Sequence, residues 1–226
     1  MSRVAPARIR VRAADGHMFE AWRCDPLGAP RAGVIVLHAV YGLTDHMRDV
    51  CAGWAAAGYA AVAPALYDRI GPARTHAYDR AGADAGIADY ASLAGADILR
   101  DVEACRAALG DAPCVISGFC TGGSWAWRAA AAAPFAAQVN YYGSHLPQLL
   151  DLAPGCPTLV HYGDRDPVVP LDAVRRVRAA RPEIELLVHE GAGHAFFNPD
   201  QPTYDAGAAQ RAHAASLAFL ARVLPR

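Results

Sequence analysis

From Gly33 to the end of the chain, short apolar runs rich in β-branched residues alternate with longer stretches of helical period. "AGVIVLHAV", "YAAVAPALY" and "CVISGF" are apolar without interruption, so each is expected to be buried on both faces, as a parallel strand covered by helices is. Strands that alternate with helices in this way build a mostly parallel sheet wrapped on both sides. Ahead of the alternation, "IRVRAADGHMFEAWRC" reads as an antiparallel β-hairpin that turns at Asp15-Gly16. The expected fold class is therefore α/β, a mostly parallel sheet opened by an N-terminal hairpin.

The remaining elements follow the same rhythm. "DHMRDVCAGWAAAG" is helical in period and stops at Gly58, and the next strand is cut short by Pro64. Residues 68–88, rich in Gly, Asp and Arg, read as a loop, and one long helix is expected from Asp89 to Leu109. Then come a strand at Pro113–Gly118, a helix at Thr121–Ala133 and a strand at Ala137–Tyr142. After a variable segment the reading continues with a strand at Pro157–His161, a helix at Leu171–Ala180, a strand at Glu183–His189 and a helix at Asp205–Val223. The chain has 226 residues and neither internal repeats nor a linker, which suits one domain over 1–226 with a core large enough to shelter a site from water.

Composition removes several function classes. A net charge of −1 suggests neither nucleic acid nor an anionic membrane as partner. All 21 basic residues are arginine, which rules out a Schiff-base or pyridoxal-phosphate lysine and the lysine of a phosphate-binding loop within this chain. The six cysteines are scattered with no C-x-x-C pair. The N-terminus lacks the apolar segment of a secretory signal, and no stretch is apolar enough for a membrane span. A cytoplasmic protein with reduced thiols is expected.

In open α/β sheets ligands bind beyond the carboxyl ends of the strands. Three reactive types fall in the first loop after a strand there: Cys120 after "CVISGF", the pair Asp164 and Asp166 after "TLVHYG", and His194 in "GAGHAFF" after "EIELLVHE". Cys120 sits in the pattern G-x-C-x-G. A nucleophile at a sharp strand-to-helix turn takes a strained backbone, so small residues two positions away avoid clashes. The helix beginning at Thr121 points its positive end at the sulfur, favouring the thiolate, and the Thr121 N–H can serve a developing oxyanion. His194, in a small-residue loop, suits a general base, and Asp166 or Asp164 would orient it. His189 and His161 lie within strands and read as structural, as do the other five cysteines. His161, Asp164 and Asp166 make a superficial metal pattern that nothing at helical spacing completes, so no metal is expected.

Gly118-Phe119-Cys120-Thr121-Gly122-Gly123, "HYGDRDPVVP" at 161–170, "GAGHAFF" at 191–197 and "AGYAAVAPALYDR" at 57–69 together resemble the dienelactone hydrolase family of α/β-hydrolases, from about Arg8 to Leu224. The resemblance implies a three-layer α/β-hydrolase fold with an eight-stranded sheet. It also implies a Cys-Asp-His triad of Cys120, Asp166 and His194, the G-x-x-D spacing from Gly163 favouring Asp166 over Asp164. An oxyanion hole from the amides of Val40 and Thr121 follows, with no cofactor and a monomer. The substrate it implies is a small carboxylic ester or lactone. Arg74 and Tyr78 in the middle loop, with Phe196 beside the histidine, become candidate substrate contacts. Two family residues are absent: a glutamate, replaced by Ala39, and an arginine four residues after the histidine, replaced by Asn198. An acyltransferase with the same triad and a non-catalytic ligand-binding relative are the alternative readings.

Overall fold

The computed structural model describes residues 5–224. Their eight strands form one mixed sheet, and the chain divides into two compact units, Met1–Val115 and Ile116–Arg226.

In the first unit, β1 (Ala7–Arg12) and β2 (Met18–Cys24) are the hairpin, antiparallel with Ala7 opposite Arg23 and Arg12 opposite Met18. Its turn uses Gly16 at φ +88°, where a side chain would be strained. β3 (Gly33–Leu37) and β4 (Ala60–Pro64) are parallel and buried at every position, as their unbroken apolar sequence requires. β2 runs antiparallel to β4, giving the order β1-β2-β4-β3. Helix α1 (Asp45–Ala56) lays Met47, Val50, Cys51 and Trp54 into the core. Arg69 binds both carboxylate oxygens of the fully buried Asp101 (3.0 and 2.7 Å) and reaches Asp15 in the hairpin turn (2.7 Å). A buried charge held this way is fully partnered.

The 68–88 segment and the helix after it differ from the sequence expectation. After a 3₁₀ turn at Leu66–Arg69, helix α2 covers Arg80–Ser92, capped by the Asp79 carboxylate, which accepts the Gly82 N–H at 2.7 Å. The chain is extended at Leu93 and Ala94, and α3 covers Gly95–Leu109. Two helices therefore stand where one long helix and a loop were expected. The glycines misled the reading: a Cβ on Gly86 would overlap the Val40 carbonyl, and one on Gly82 the Ala77 carbonyl. Each glycine disfavours a helix by about 1 kcal/mol, and the close backbone approach it permits outweighs that cost.

The second unit carries most of β5 (Cys114–Phe119), then α4 (Thr121–Ala132), β6 (Ala137–Tyr141), β7 (Thr158–Gly163), α5 (Leu171–Ala180), β8 (Glu185–His189) and α6 (Ala206–Val223). β5 begins at the boundary between the units, and the order is β5-β6-β7-β8, with β6, β7 and β8 parallel. Its interior is aromatic. Phe119 stacks on Tyr141 at 4.6 Å and 7°, and Phe197 packs against both rings. Behind them, Tyr141 Oη and the His161 ring converge on Ser216 Oγ at 2.9 Å each, and His161 meets His189 at 3.1 Å. The strand histidines thus belong to a buried structural network. No described helix is long and apolar enough to cross a membrane.

Candidate active site

Cys120 stands between the last residue of β5 and the first of α4. Its backbone has φ +54° and ψ −119°, a region that non-glycine residues enter only when their surroundings enforce it. Here the enforcement is visible. The Cys120 N–H donates to Tyr141 O at 3.0 Å, and its carbonyl accepts from Ser124 and Ser144 at 3.2 Å each. A Cβ on Gly118 would overlap the Gly122 carbonyl, so the turn can close this tightly only with glycine. Asn140 braces the far side, donating to Gly123 O at 2.7 Å and accepting from the Gly143 N–H at 3.1 Å. The chain then turns straight into α4, and Thr121 Oγ1 lies 3.9 Å from the sulfur.

His194 is held from the other side. Its Nδ1 donates to Asp166 Oδ2 at 2.7 Å, since a carboxylate only accepts. Asp166 is 4% exposed, and its other oxygen accepts the N–H groups of Val168 (2.7 Å) and Val169 (3.0 Å). Asp164 acts elsewhere. Its carboxylate accepts the Gly191 N–H at 2.7 Å, closing the loop that leads to His194. Within that loop Ala195 takes φ +59°, and Thr203 Oγ1 donates to the His194 carbonyl. The Tyr142 ring meets the imidazole edge-on at 5.1 Å and 61°. His194 Nε2 is buried and has no hydrogen-bond partner among the described residues, which leaves this nitrogen free to exchange a proton.

The thiol and the imidazole shift each other's ionisation. Burial disfavours both charges. Against it, the charge of His194, the closeness of that ring, and the Thr121 hydroxyl and amide pull the Cys120 thiol below its ordinary value. Burial likewise opposes a charged His194, yet the Cys120 thiolate and the Asp166 carboxylate raise it to about 10. Each charge favours the other. The other five thiols behave oppositely: burial raises Cys24, Cys51, Cys105, Cys114 and Cys156. Cys120 is half-buried rather than sealed in the core.

The second unit thus brings Cys120, Asp166 and His194 together, with Thr121 at the sulfur. Val40, Arg74 and Tyr78 belong to the first unit. Val40 is buried, and its carbonyl accepts from Tyr67 Oη at 2.8 Å. Arg74 is 45% exposed at its side chain, and its Nε donates to Asp89, which also binds His76 Nε2 at 2.6 Å. Tyr78 Oη donates to Thr44 Oγ1 at 2.7 Å. Phe196 is fully buried against the rings of Tyr142 and His189, which removes it from any solvent-exposed surface. Asn198 lies in the turn that follows the histidine: its side chain accepts the Asp200 N–H at 3.0 Å. The sequence reading overlooked Asn140, Tyr142 and Ser144. Only Asn140 left a signal, a polar side chain inside the apolar strand "AQVNY".

Comparison with known proteins places these features in context. The sequence profile described as the dienelactone hydrolase family matches residues 19–224. A carboxymethylenebutenolidase of Pseudomonas putida is 30% identical over 231 residues, spanning 94% of this chain and 95% of that protein. Among solved structures, one from Klebsiella pneumoniae subsp. pneumoniae, assigned as a dienelactone hydrolase, superposes with a TM-score of 0.84 at 26% identity. It covers 98% of this chain and all (100%) of its own. A dienelactone hydrolase-like promiscuous phosphotriesterase from metagenomic libraries gives 0.81 at 26% identity, with 98% and 100% coverage.

Proposed function

The chain belongs to the dienelactone hydrolase family, a family of ester- and lactone-cleaving hydrolases, and within it we propose that this protein hydrolyses a small carboxylic ester or lactone through a Cys120–His194–Asp166 triad and a thioester intermediate. The observation that carries the reading is the Cys120 backbone at φ +54°, strained at the head of α4, together with a histidine whose Nδ1 is bonded to a buried carboxylate and whose Nε2 is unoccupied.

The steps follow from the charges. The Cys120 thiolate attacks the acyl carbon, and the carbonyl oxygen takes up the negative charge at the amide of Thr121. As the C–O bond breaks, the His194 imidazolium gives its Nε2 proton to the leaving alkoxide, leaving a thioester on Cys120. For a lactone the leaving oxygen stays tethered to the acyl group. Water then gives a proton to the neutral His194 and attacks the thioester carbon, and the acid departs as the thiolate re-forms. Asp166 holds the ring and stabilises its charged form throughout. With Ala39 in place of a carboxylate, ionisation of the thiol rests on His194 and on Thr121 at the helix end. Arg74 offers a cation for a carboxylated substrate, moderated by Asp89. No cofactor enters the cycle, and the reading includes a cytoplasmic monomer.

Cys120→Ala should abolish turnover of a short p-nitrophenyl ester or an enol-lactone, lowering kcat/KM by roughly 10⁴-fold or more, with the thermal midpoint unchanged. Brief reaction of the wild type should leave an acyl mass on the peptide containing Cys120. Activity above a few per cent in the variant, or an acyl adduct elsewhere, would overturn the assignment.

A further inference from the structure

Beyond the end of β6 the chain leaves the sheet through a tightly bonded turn. Tyr142 still extends the ladder to β7, its N–H donating to His161 O at 2.7 Å. Its φ is +43°, a region that a bulky residue enters only when its surroundings enforce it. The next two residues supply the enforcement. The Gly143 N–H donates to Asn140 Oδ1 at 3.1 Å, and Tyr162 Oη donates to the Gly143 carbonyl at 3.0 Å. The Ser144 N–H donates to the Cys120 carbonyl at 3.2 Å. Glycine would make the same turn without strain, so what the strain retains at position 142 is a side chain.

That side chain is an aromatic ring, 2% exposed, and it touches both loops of the site. It meets Phe119, the residue before Cys120, at 6.0 Å and 58°. It meets Phe196 in the histidine loop at 5.3 Å and 72°. It also packs on the His194 imidazole itself, at 5.1 Å and 61°.

The imidazole has need of such a contact. The torsion that sets the plane of a histidine ring has a broad minimum, and a hydrogen bond keeps much of its strength as its angle opens. The Asp166 bond at Nδ1 therefore fixes which nitrogen faces the carboxylate but lets the ring rock. Rocking displaces Nε2, the nitrogen that must exchange a proton. A buried ring packed on the imidazole removes that freedom. We propose that Tyr142 is a positioning residue: its ring holds the His194 imidazole in the plane that serves Asp166 and Cys120 together. This deepens the function proposed above and rests on the triad given there.

The test compares Tyr142→Phe, which keeps the ring, with Tyr142→Leu, which makes the same demand on the backbone without a ring. Tyr142→Met, flexible enough to fill the same space, repeats the comparison should the leucine variant fold poorly. A displacement of about 1 Å costs about 10²-fold in rate. Accordingly kcat should fall by about 10–100-fold in Tyr142→Leu and Tyr142→Met, with KM little changed, and by no more than a few fold in Tyr142→Phe. A readout apart from turnover is the pH profile of Cys120 alkylation by iodoacetamide, which follows the thiolate. A rocking histidine gives the sulfur less help. The profile's midpoint should therefore rise by about 1 pH unit without the ring, a tenfold change in the ionisation constant, and stay in place in Tyr142→Phe. The charges acting on His194 come from Cys120 and Asp166, and no variant removes either. Wild-type kcat with an unmoved profile in the ringless variants overturns the proposal. So do equal losses in all three, or losses that follow the thermal midpoints while the profile stays put. A profile that His194→Ala leaves unchanged overturns the triad reading beneath, and this proposal with it.

Discussion

The elbow at Gly118–Gly123 and helix α2 at Gly82–Gly86 both use glycine to let backbone approach backbone, but the approach is made to different partners. At the elbow the missing Cβ of Gly118 makes room for the carbonyl of Gly122, a few residues on in the same turn. In α2 the missing Cβ of Gly86 makes room for the carbonyl of Val40, far away along the chain. The first reason can be found in a local pattern, and it was: G-x-C-x-G announces a tight turn around Cys120. The second cannot, because nothing near residue 86 mentions residue 40. Glycine within a local motif is therefore legible as geometry, whereas glycine serving a distant contact reads as a loop.

Three measurements put that contrast at risk. The largest effect should come from the elbow's chemistry. Asp166→Asn, which leaves the backbone in place, should lower kcat by roughly 10³–10⁴-fold. It should also move the alkaline limb of the rate profile. His194 is raised to about 10, so the imidazolium persists up to that pH and the thiolate–imidazolium pair disappears above it. Without the carboxylate the limb should move to lower pH but stay above the ordinary histidine value of about 6.5, because the Cys120 charge still raises His194, while the acid limb still reports a thiol titrating below its usual range. An alkaline limb that stays near 10 in the variant would show that Asp166 does not hold the histidine's charge.

Next, Gly118→Ala forces its new methyl against the Gly122 carbonyl and tilts Cys120 away from His194. A displacement on the order of 1 Å costs about 10²-fold in rate, so kcat/KM should fall by that order, more than the loss of stability explains. Equal rates in the variant and the wild type would mean that the elbow tolerates a Cβ and that its glycines are incidental. Smallest in rate and clearest in stability is Gly86→Ala. The overlap with the Val40 carbonyl should cost about 1–3 kcal/mol, read as a lower denaturation midpoint with unchanged slope, although alanine is the better helix former. A stabilised variant would show that the helix does not need its close approach.

Much of the molecule could be read in advance for physical reasons. β3, β4 and β5 were legible because burial on both faces demands apolar residues at every position. The hairpin was legible because Asp15-Gly16 marks a turn that only glycine adopts at low cost. The three reactive side chains were legible because each sits one loop beyond a strand, where an α/β sheet gathers its chemistry. Less could be seen where distant segments decide. α2 and α3 read as a loop plus a single helix, since the break at Leu93 and Ala94 carries no breaker residue. Phe196 was expected to touch substrate and is instead packed beneath Tyr142. Asn198 was noted only as a missing arginine, yet its side chain accepts the Asp200 N–H in the turn that follows the His194 loop.

Local sequence was enough to set the alternation of strand and helix, the turn at Cys120 and the order of thiol, carboxylate and imidazole along the chain. These depend on periodicity and on short-range sterics, which neighbouring residues fix among themselves. Folding alone decided in which of the six cysteines the thiol is pulled below its ordinary value and which aspartate meets the histidine. Ionisation and hydrogen bonding depend on burial and on what lies within a few ångströms, and those surroundings are assembled from residues the chain keeps far apart.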